Sequence, residues 1–220
     1  MPTGFPTVWL ALRGSRRHLG YMVSDSTPSA SDVSQPSDLT GKILIAMPGM
    51  GDPRFDKSVI YLCAHSAEGA MGLIVNKPAP EVKLEDLLAQ LDVSLTPQAR
   101  DTPVHFGGPV EHGRGFVLHS DDYAGNESTL KVSGGLGLTA TLDVLEDIGS
   151  GAGPAQAILA LGYSGWGPGQ LEAEITQNGW LTCDGAPEIV FGSDNEAKWQ
   201  AALGTLGVSA LLLSSEAGHA

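Results

Sequence analysis

The feature that most constrains this chain is the stretch 41–77, which holds three apolar segments in fewer than forty residues. The spacing predicts strands at 42–46, 59–65 and 70–75. None of the three alternates regularly between apolar and polar residues, so each is expected to be covered on both faces. Residues 66–69 predict a hairpin turn between the second and third strands. These segments should therefore form the centre of a sheet.

The remaining elements are strands and helices without regular alternation. An apolar stripe with the spacing of a helix predicts a helix at 82–91. A strand, a glycine loop and a helix are expected in succession between 157 and 178. The other expected elements are strands at 104–106, 115–119, 130–132, 180–182 and 188–191, and helices at 142–148 and from the capping box 193–196 to 206. Irregular alternation favours an α+β protein over a doubly wound one.

The charge of the chain disfavours nucleic acid as a direct partner. The formal net charge is -13, and Arg13, Arg16 and Arg17 lie in an N-terminal segment that has no acidic residue. Residues 25–220 hold nine basic residues against twenty-five acidic ones. Such a body repels phosphate backbones, and no local basic run compensates for it.

The cysteines and the apolar runs indicate a cytoplasmic protein without membrane attachment. Cys63 and Cys183 are far apart and match no metal-ligand spacing, so neither a disulfide framework nor a zinc site is predicted. No apolar stretch approaches the roughly 20 residues of a membrane span. The apolar run 8–12 comes before the basic cluster, which is the reverse of a secretory signal.

The N-terminal part of the chain is expected to be an extension of the folded domain. Residues 24–38 are rich in Ser, Pro and Asp, with too few apolar side chains to offset the entropy of ordering. We predict a disordered extension over 1–38 and one domain over 39–220. Met22 is a candidate for the true start, and the alternative is that the arginine-rich segment resembles an organelle transit peptide.

Cys63 and His65 are the first candidates for chemistry, because a reactive thiolate needs a nearby base or cation. Residues two apart on a strand share a face. However, the strand is apolar throughout, and the favoured interpretation is a buried cysteine that acts as a small apolar residue. The alternative is a thiol redox sensor at Cys63, alone or with Cys183.

Ser164 suggests a hydrolase, because it lies between a predicted strand and a predicted helix, and Asp184 or Asp194 and then His219 follow in hydrolase order. The glycine pattern of a nucleophile elbow is broken by Trp166. The favoured interpretation is a tight turn that lets this tryptophan pack. The hydrolase, or an anion site at the following helix N-terminus, is the alternative.

His105, His112 and His119 surround a glycine turn, with Glu111 between them. A hairpin could bring two imidazoles together on a metal ion. A spacing of seven residues is no known ligand code, so we expect hydrogen-bonded histidines and no metal site.

Other polar and glycine residues at strand ends form a candidate ligand-binding set. Polar side chains there commonly cap turns, but together they could line a small pocket. An arginine beside the glycine turn could bind a carboxylate or phosphate, or could be solvated. The set comprises Asp52, Asn76, Lys77, Gly107, Gly108, Arg114, Tyr163, Trp166 and Gln170.

Several sequence motifs carry a resemblance to a known family. They are IAMP at 45–48, GAMGLIVNKP at 69–78, FGGPV at 106–110, GFVLH at 115–119, LGY at 161–163 and AGHA at 217–220. Over 39–220 the chain resembles the bacterial AlgH/YqgE family. The resemblance implies a single α+β domain whose mainly antiparallel sheet bends into a pseudo-barrel flanked by about four helices. It implies no defined activity and no cofactor, and the family is labelled a transcriptional regulator.

The residues favour a non-catalytic regulatory or binding protein, since no catalytic set is evident and the body is acidic. It would act through a protein partner or a small ligand, so its effect on gene expression would be indirect. The alternative from another class is an enzyme with a pocket near Asp52, Asn76, Gly108 and 163–170.

The charge distribution predicts that the protein does not bind duplex DNA. The fluorescence anisotropy of a labelled duplex at roughly 0.15 M salt should not change at protein concentrations up to about 50 µM. Micromolar binding that weakens steeply as salt is added would contradict this prediction.

Overall fold

The fold is described from a computed structural model for residues 38–99, 101–125, 129–210 and 213. The predicted N-terminal extension, apart from Asp38, and the motif at 217–220 lie outside these residues. The fold class agrees with the prediction, since one curled, mainly antiparallel sheet is flanked by helices in a single α+β domain.

Nine strands in the described part of the chain form the sheet. They are β1 Lys42–Ala46, β2 Val59–Ser66, β3 Gly69–Ile74, β4 Val104–Phe106, β5 Val110–Ser120, β6 Leu130–Val132, β7 Leu136–Thr139, β8 Ala157–Trp166 and β9 Trp180–Asp184. The order is β6-β7-β5-β8-β3-β2-β1-β9, and β4 pairs with β8 off this path. The β4–β8 pair is parallel and the other strand pairs are antiparallel.

Short helices cover the sheet. In the described residues they are the 3-10 helix Pro53–Phe55, α1 Leu84–Gln90, α2 Leu142–Ser150, α3 Gln170–Thr176, α4 Pro187–Val190 and α5 Ala197–Thr205. The helix α1 lies within the predicted range 82–91, and its buried residues Leu84 and Leu88 belong to the predicted apolar stripe.

The central strands are buried on both faces, as their apolar sequence predicts. Alternate side chains of β1 and β2 enter two different core clusters. The first cluster joins Ile43, Ile45 and Tyr61 to Val190, Trp199 and Leu203 of α4 and α5. The second joins Leu44, Ile60 and Leu62 to Trp166, Leu171 and Trp180. A third packs α1 and α2 against β5 and β8.

The curl of the sheet brings distant strands together. The hydroxyl of Tyr61 on β2 donates a hydrogen bond to the carbonyl of Ser133, in the turn between β6 and β7, at 2.7 Å. Gly41, just before β1, has φ of 82°, and a Cβ there would lie 2.3 Å from the same carbonyl oxygen. These contacts place the β6–β7 turn, at one end of the strand order, against β2 and the start of β1, near the other end.

Four local predictions were wrong. The strand β7 is absent from the prediction, because its LGLT segment follows two glycines and has the composition of a loop. Residues 187–190 form a helix and not a strand, with Pro187 at the first helical position. The predicted glycine loop after Leu161 continues β8 as far as Trp166. The helix α2 runs past Gly149 and ends at Gly151, whose φ is 87°.

The close contact between the segment after β4 and β8 predicts that Gly107→Ala destabilises the fold. A Cβ at Gly107 would lie 2.2 Å from the carbonyl oxygen of Gly162, so the backbones must separate. We expect a loss of about 2 kcal/mol or more in the free energy of unfolding, measured by urea titration.

The matched control is Gly204→Ala on α5. Gly204 is exposed and a Cβ there would meet no atom within 4 Å, so alanine should stabilise the helix by about 0.5–1 kcal/mol. Equal effects of the two substitutions would contradict the steric argument.

Candidate functional site

Asp52 and Lys77 are engaged in local contacts of the loop that leads into β2. A carboxylate oxygen of Asp52 accepts a hydrogen bond from the backbone N–H of Arg54 at 2.9 Å, and the side chains of these two residues form an ion pair at 2.6 Å. The hydrogen bonds from Arg54 lower the pKa of Asp52. The Lys77 ammonium donates to the Arg54 carbonyl at 2.6 Å. The two candidate residues therefore meet on the 3-10 helix, which they hold in place.

Asn76 stabilises the backbone of the same loop. Its side-chain oxygen accepts from the N–H of Val59 at 2.8 Å, and its side-chain nitrogen donates to the carbonyl of Lys57 at 2.8 Å. Lys57 has φ of 49°, a conformation that few non-glycine residues adopt. Both polar ends of the amide are thus used in fixing the entry into β2.

Gly107 and Gly108 lie against the backbone of β8. The N–H of Gly107 donates to the carbonyl of Leu161 at 2.8 Å. A Cβ on Gly108 would lie 2.2 Å from the carbonyl carbon of Tyr163, and the ring of Tyr163 packs edge-on against Phe116 at 5.8 Å. Because glycine has no Cβ, the backbone at Gly107 and Gly108 can lie directly against the backbone of β8.

Arg114 is half-buried on β5. Its guanidinium pairs with the carboxylate of Glu111 at 3.2 Å and lies 4.9 Å from the centre of the Phe116 ring. Arg114 is therefore not the isolated, solvated arginine that was one of the two sequence-based interpretations.

Trp166 and Gln170 converge on Glu174, a residue that sequence reasoning missed. The carboxylate of Glu174 accepts from the indole N–H of Trp166 at 2.9 Å, the indole N–H of Trp180 at 2.8 Å and the amide of Gln170 at 2.9 Å. Gln170 also accepts from the N–H of Gly167 at 3.0 Å. The available signal was the i, i+4 spacing of Gln170 and Glu174 on a predicted helix.

Cys63 and His65 lie on opposite faces of the sheet. The register of β2 against β3 shifts between Leu62 and Ala64, so Cys63 is the extra residue of a β-bulge. Cys63 belongs to the first core cluster, and burial raises its pKa to about 12. The prediction that Cys63 and His65 share a face of the strand is therefore wrong, because the bulge reverses the alternation of side chains between them.

His65 links the start of the domain to α3. Its Nδ1 accepts from the N–H of Leu39 at 3.1 Å, and its Nε2 lies 2.9 Å from a carboxylate oxygen of Glu172. With Nδ1 as an acceptor, Nε2 carries the proton and donates to Glu172.

The hydrolase residues are not assembled in the described part of the chain. Ser164 is buried inside β8, and its Oγ lies 3.5 Å from the carbonyl of Gly107. Asp184 pairs with Lys42 at 2.5 Å, and Asp194 accepts from the N–H of Ala197 at 3.0 Å. His219 lies outside the described residues. The serine is therefore in a strand and not at a strand-to-helix elbow.

The three histidines make separate contacts. Nε2 of His105 lies 3.1 Å from the side-chain oxygen of Asn195, and the His112 ring stacks on Phe106 at 5.4 Å. Nε2 of His119 lies 2.9 Å from Oγ1 of Thr139. In the described ranges, no group of three His, Cys, Asp or Glu side chains could hold a metal ion.

A surface groove of about 520 Å³ lies between residues 78–85 and 95–104. Its lining combines apolar residues with polar ones. The apolar residues include Pro78, Pro80, Leu84, Leu95 and Pro103, and the polar ones include Lys83, Glu85, Thr96, Asp101 and Thr102. None of the nine candidate ligand residues lines it, and only Trp166 of that set lines a second, smaller depression of about 260 Å³. Sequence reasoning missed the groove because its walls are mainly the segments that lead into α1 and β4, and the approach of these segments depends on tertiary packing.

The helices of the described residues include none that is long and apolar enough to cross a membrane.

Comparisons with known proteins agree with the sequence motifs. A family model described as AlgH-like matches residues 43–211. A UPF0301 protein of Ruegeria pomeroyi is 65% identical over 184 residues, which cover 83% of this chain and all of that protein. A UPF0301 protein of Paracoccus denitrificans is 56% identical over 190 residues, covering 86% of this chain and all of the relative.

Two solved structures share the fold. The solution structure of the AlgH protein from Pseudomonas aeruginosa matches with a TM-score of 0.68 and 42% identity, covering 86% of this chain and 100% of that one. A crystal structure of a Corynebacterium diphtheriae protein matches with a TM-score of 0.62 and 19% identity, covering 78% of this chain and 88% of that one. The second likeness concerns the fold alone.

The burial of Cys63 predicts that its thiol resists alkylation in the folded protein. A Cys183→Ala variant isolates this thiol. Iodoacetamide at pH 8 should modify the native variant at least about a hundredfold more slowly than the urea-unfolded variant, because the thiolate is both scarce and shielded. Intact mass measured over time gives both rates. Comparable rates would restore the redox-sensor interpretation.

Proposed function

The chain belongs to the AlgH-like family, and we propose that it acts as a non-catalytic binding protein that holds a segment of a partner protein in the groove between 78–85 and 95–104. The observation that carries this proposal is the chemistry of the groove lining.

The lining offers a contact surface without the groups of a catalytic site. Among the residues that the structure describes, it contains no Cys, His or Ser, and its ionisable residues are Lys83, Glu85 and Asp101. Lys83 and Glu85 pair with each other at 3.6 Å. The hydroxyl of Thr96 donates to the carbonyl of Gly149 at 3.1 Å. A nucleophile with an adjacent base, which covalent catalysis requires, is absent from this lining.

Apolar burial is one source of affinity that the groove provides. Its three prolines, Pro78, Pro80 and Pro103, have no backbone N–H to donate and present apolar ring surface. Leu95 keeps 44% of its surface exposed at the groove. Removing such surface from water favours an apolar partner segment.

The charge around the groove favours particular residues on either side of the apolar partner segment. Glu81, Glu85, Asp86 and Asp101 are exposed on or beside the walls, against Lys83 among the described residues there. Together with the net charge of -13, this favours a partner whose apolar residues are flanked by Lys or Arg. A protein partner also makes any effect on transcription indirect.

Site-specific photo-crosslinking in the native host tests the proposal. A benzophenone side chain is placed at Ala99, which lines the groove, and in a control protein at Lys131, which is exposed on β6. We expect one defined protein to crosslink from Ala99 and not from Lys131. Leu95→Asp should weaken binding of that protein at least about tenfold, with the free energy of unfolding changed by less than about 0.5 kcal/mol.

Two outcomes contradict a protein partner. One is equal crosslinking from Ala99 and Lys131. The other is a small molecule that native mass spectrometry finds on the wild-type protein and not on an Ala99→Trp variant, because tryptophan would fill the groove. That second result would assign the groove to a small ligand.

A further inference from the structure

Lys198 is a buried cation that joins three elements of the fold. It lies on α5 with 3% of its surface exposed. Its amino group donates to the carbonyl of Val75, just beyond β3, at 2.7 Å, and to the carbonyl of Val190, at the end of α4, at 2.8 Å. The amine therefore connects the end of a central strand to both C-terminal helices.

Both partners of this amine are neutral carbonyl groups. A buried ammonium usually has a carboxylate nearby, because an unpaired charge is costly to remove from water. In the described residues no carboxylate pairs with Lys198, and burial lowers its pKa to about 8.

The elements around the amine supply few charged groups. One of them is His105 on β4, whose pKa is lowered by burial first and, more weakly, by the charge of Lys198. His105 is 1% exposed, and its Nδ1 forms no hydrogen bond with the residues that the structure describes, although the Pro103 carbonyl weakly raises the pKa of this histidine. The other titratable groups on the adjoining segments are Tyr61, Cys63, Lys77, Glu188, Asp194 and Glu196, and the three carboxylates are exposed.

We propose that Lys198 is a clasp that tightens when its amine loses a proton, so that α4 and α5 bind the sheet more tightly as the solution becomes alkaline. A neutral amine has two N–H groups, and the site provides two carbonyl acceptors. Loss of the proton therefore keeps both hydrogen bonds and removes the cost of a buried charge. This inference does not depend on the proposed partner groove.

The sign of the pH dependence follows from the two states of the chain. The pKa of Lys198 is about 8 in the fold, against an ordinary value of 10.5. Between these values the folded state binds fewer protons than the unfolded state, so this group stabilises the fold as pH rises. Cys63 acts in the opposite direction above pH 9.0, the ordinary value of its pKa, because burial raises it to about 12. The contribution of Lys198 must therefore be measured as a difference.

Urea unfolding from pH 7.5 to 10.5 provides that difference. Lys198→Met keeps the length of the side chain but cannot titrate, and Lys83→Met on the exposed surface is the matched control. Relative to wild type, the unfolding equilibrium constant of Lys198→Met should increase across this range by on the order of a hundredfold. The same ratio for Lys83→Met should stay constant. Parallel pH profiles of wild type and Lys198→Met would overturn the proposal.

If Lys198→Met does not fold, a second measurement on folded proteins that retain Lys198 tests the same proposal. The wild-type chain has six lysines, whose Cε signals can be titrated by carbon-13 NMR. Burial also lowers the pKa of Lys77, so a Lys77→Met variant identifies that signal. One of the other signals should titrate near pH 8 in the folded protein. Titration of all of them at pH 10 or above, with the fold intact, would refute the clasp.

Discussion

The burial of the central strands on both faces is the constraint on which the rest of the structure depends. Successive residues of β1 enter different core clusters, so the sheet needs cover on each side. On one side the cover is α3 together with Trp166 and Trp180. The indole N–H groups of both tryptophans donate to the carboxylate of Glu174. On the other side α5 supplies the cover, and the indole N–H of Trp199 donates to the carbonyl of Ala46 at 2.9 Å. The tryptophans thus combine apolar area with a satisfied donor.

The motifs that carry the family resemblance mostly serve this architecture. The FGGPV motif places two glycines where β8 approaches too closely for any side chain, and Gly162 of the LGY motif has φ of 74° in the same contact. Asn76 and Lys77 hold the loop before β2. A motif shared by related chains therefore indicates here how the sheet closes, and it gives little information about a ligand.

The sequence could predict the elements whose pattern is local and complete. The strands β1 to β3, the hairpin at 66–69 and α1 follow from apolar runs, turn residues and helical spacing. The bulge at Cys63 could not be predicted, because it depends on the register against β3. The helix α4 was missed because isoleucine and valine favour strands, whereas packing on the first core cluster decides its form. The groove arises only when the segments that lead into α1 and β4 meet in the folded chain.

Lys198 and the groove are linked through the end of β3. Val75, which accepts from the amine, leads within three residues to Pro78 in the groove wall. Pro78 bridges to His105, which is the neighbour of the lining residue Val104 and contacts Asn195 ahead of α5. Both wall residues therefore lie next to residues that make polar contacts with the α5 region. The groove wall is thus connected to the C-terminal helices through Val75 and His105, although no residue of these helices lines the groove.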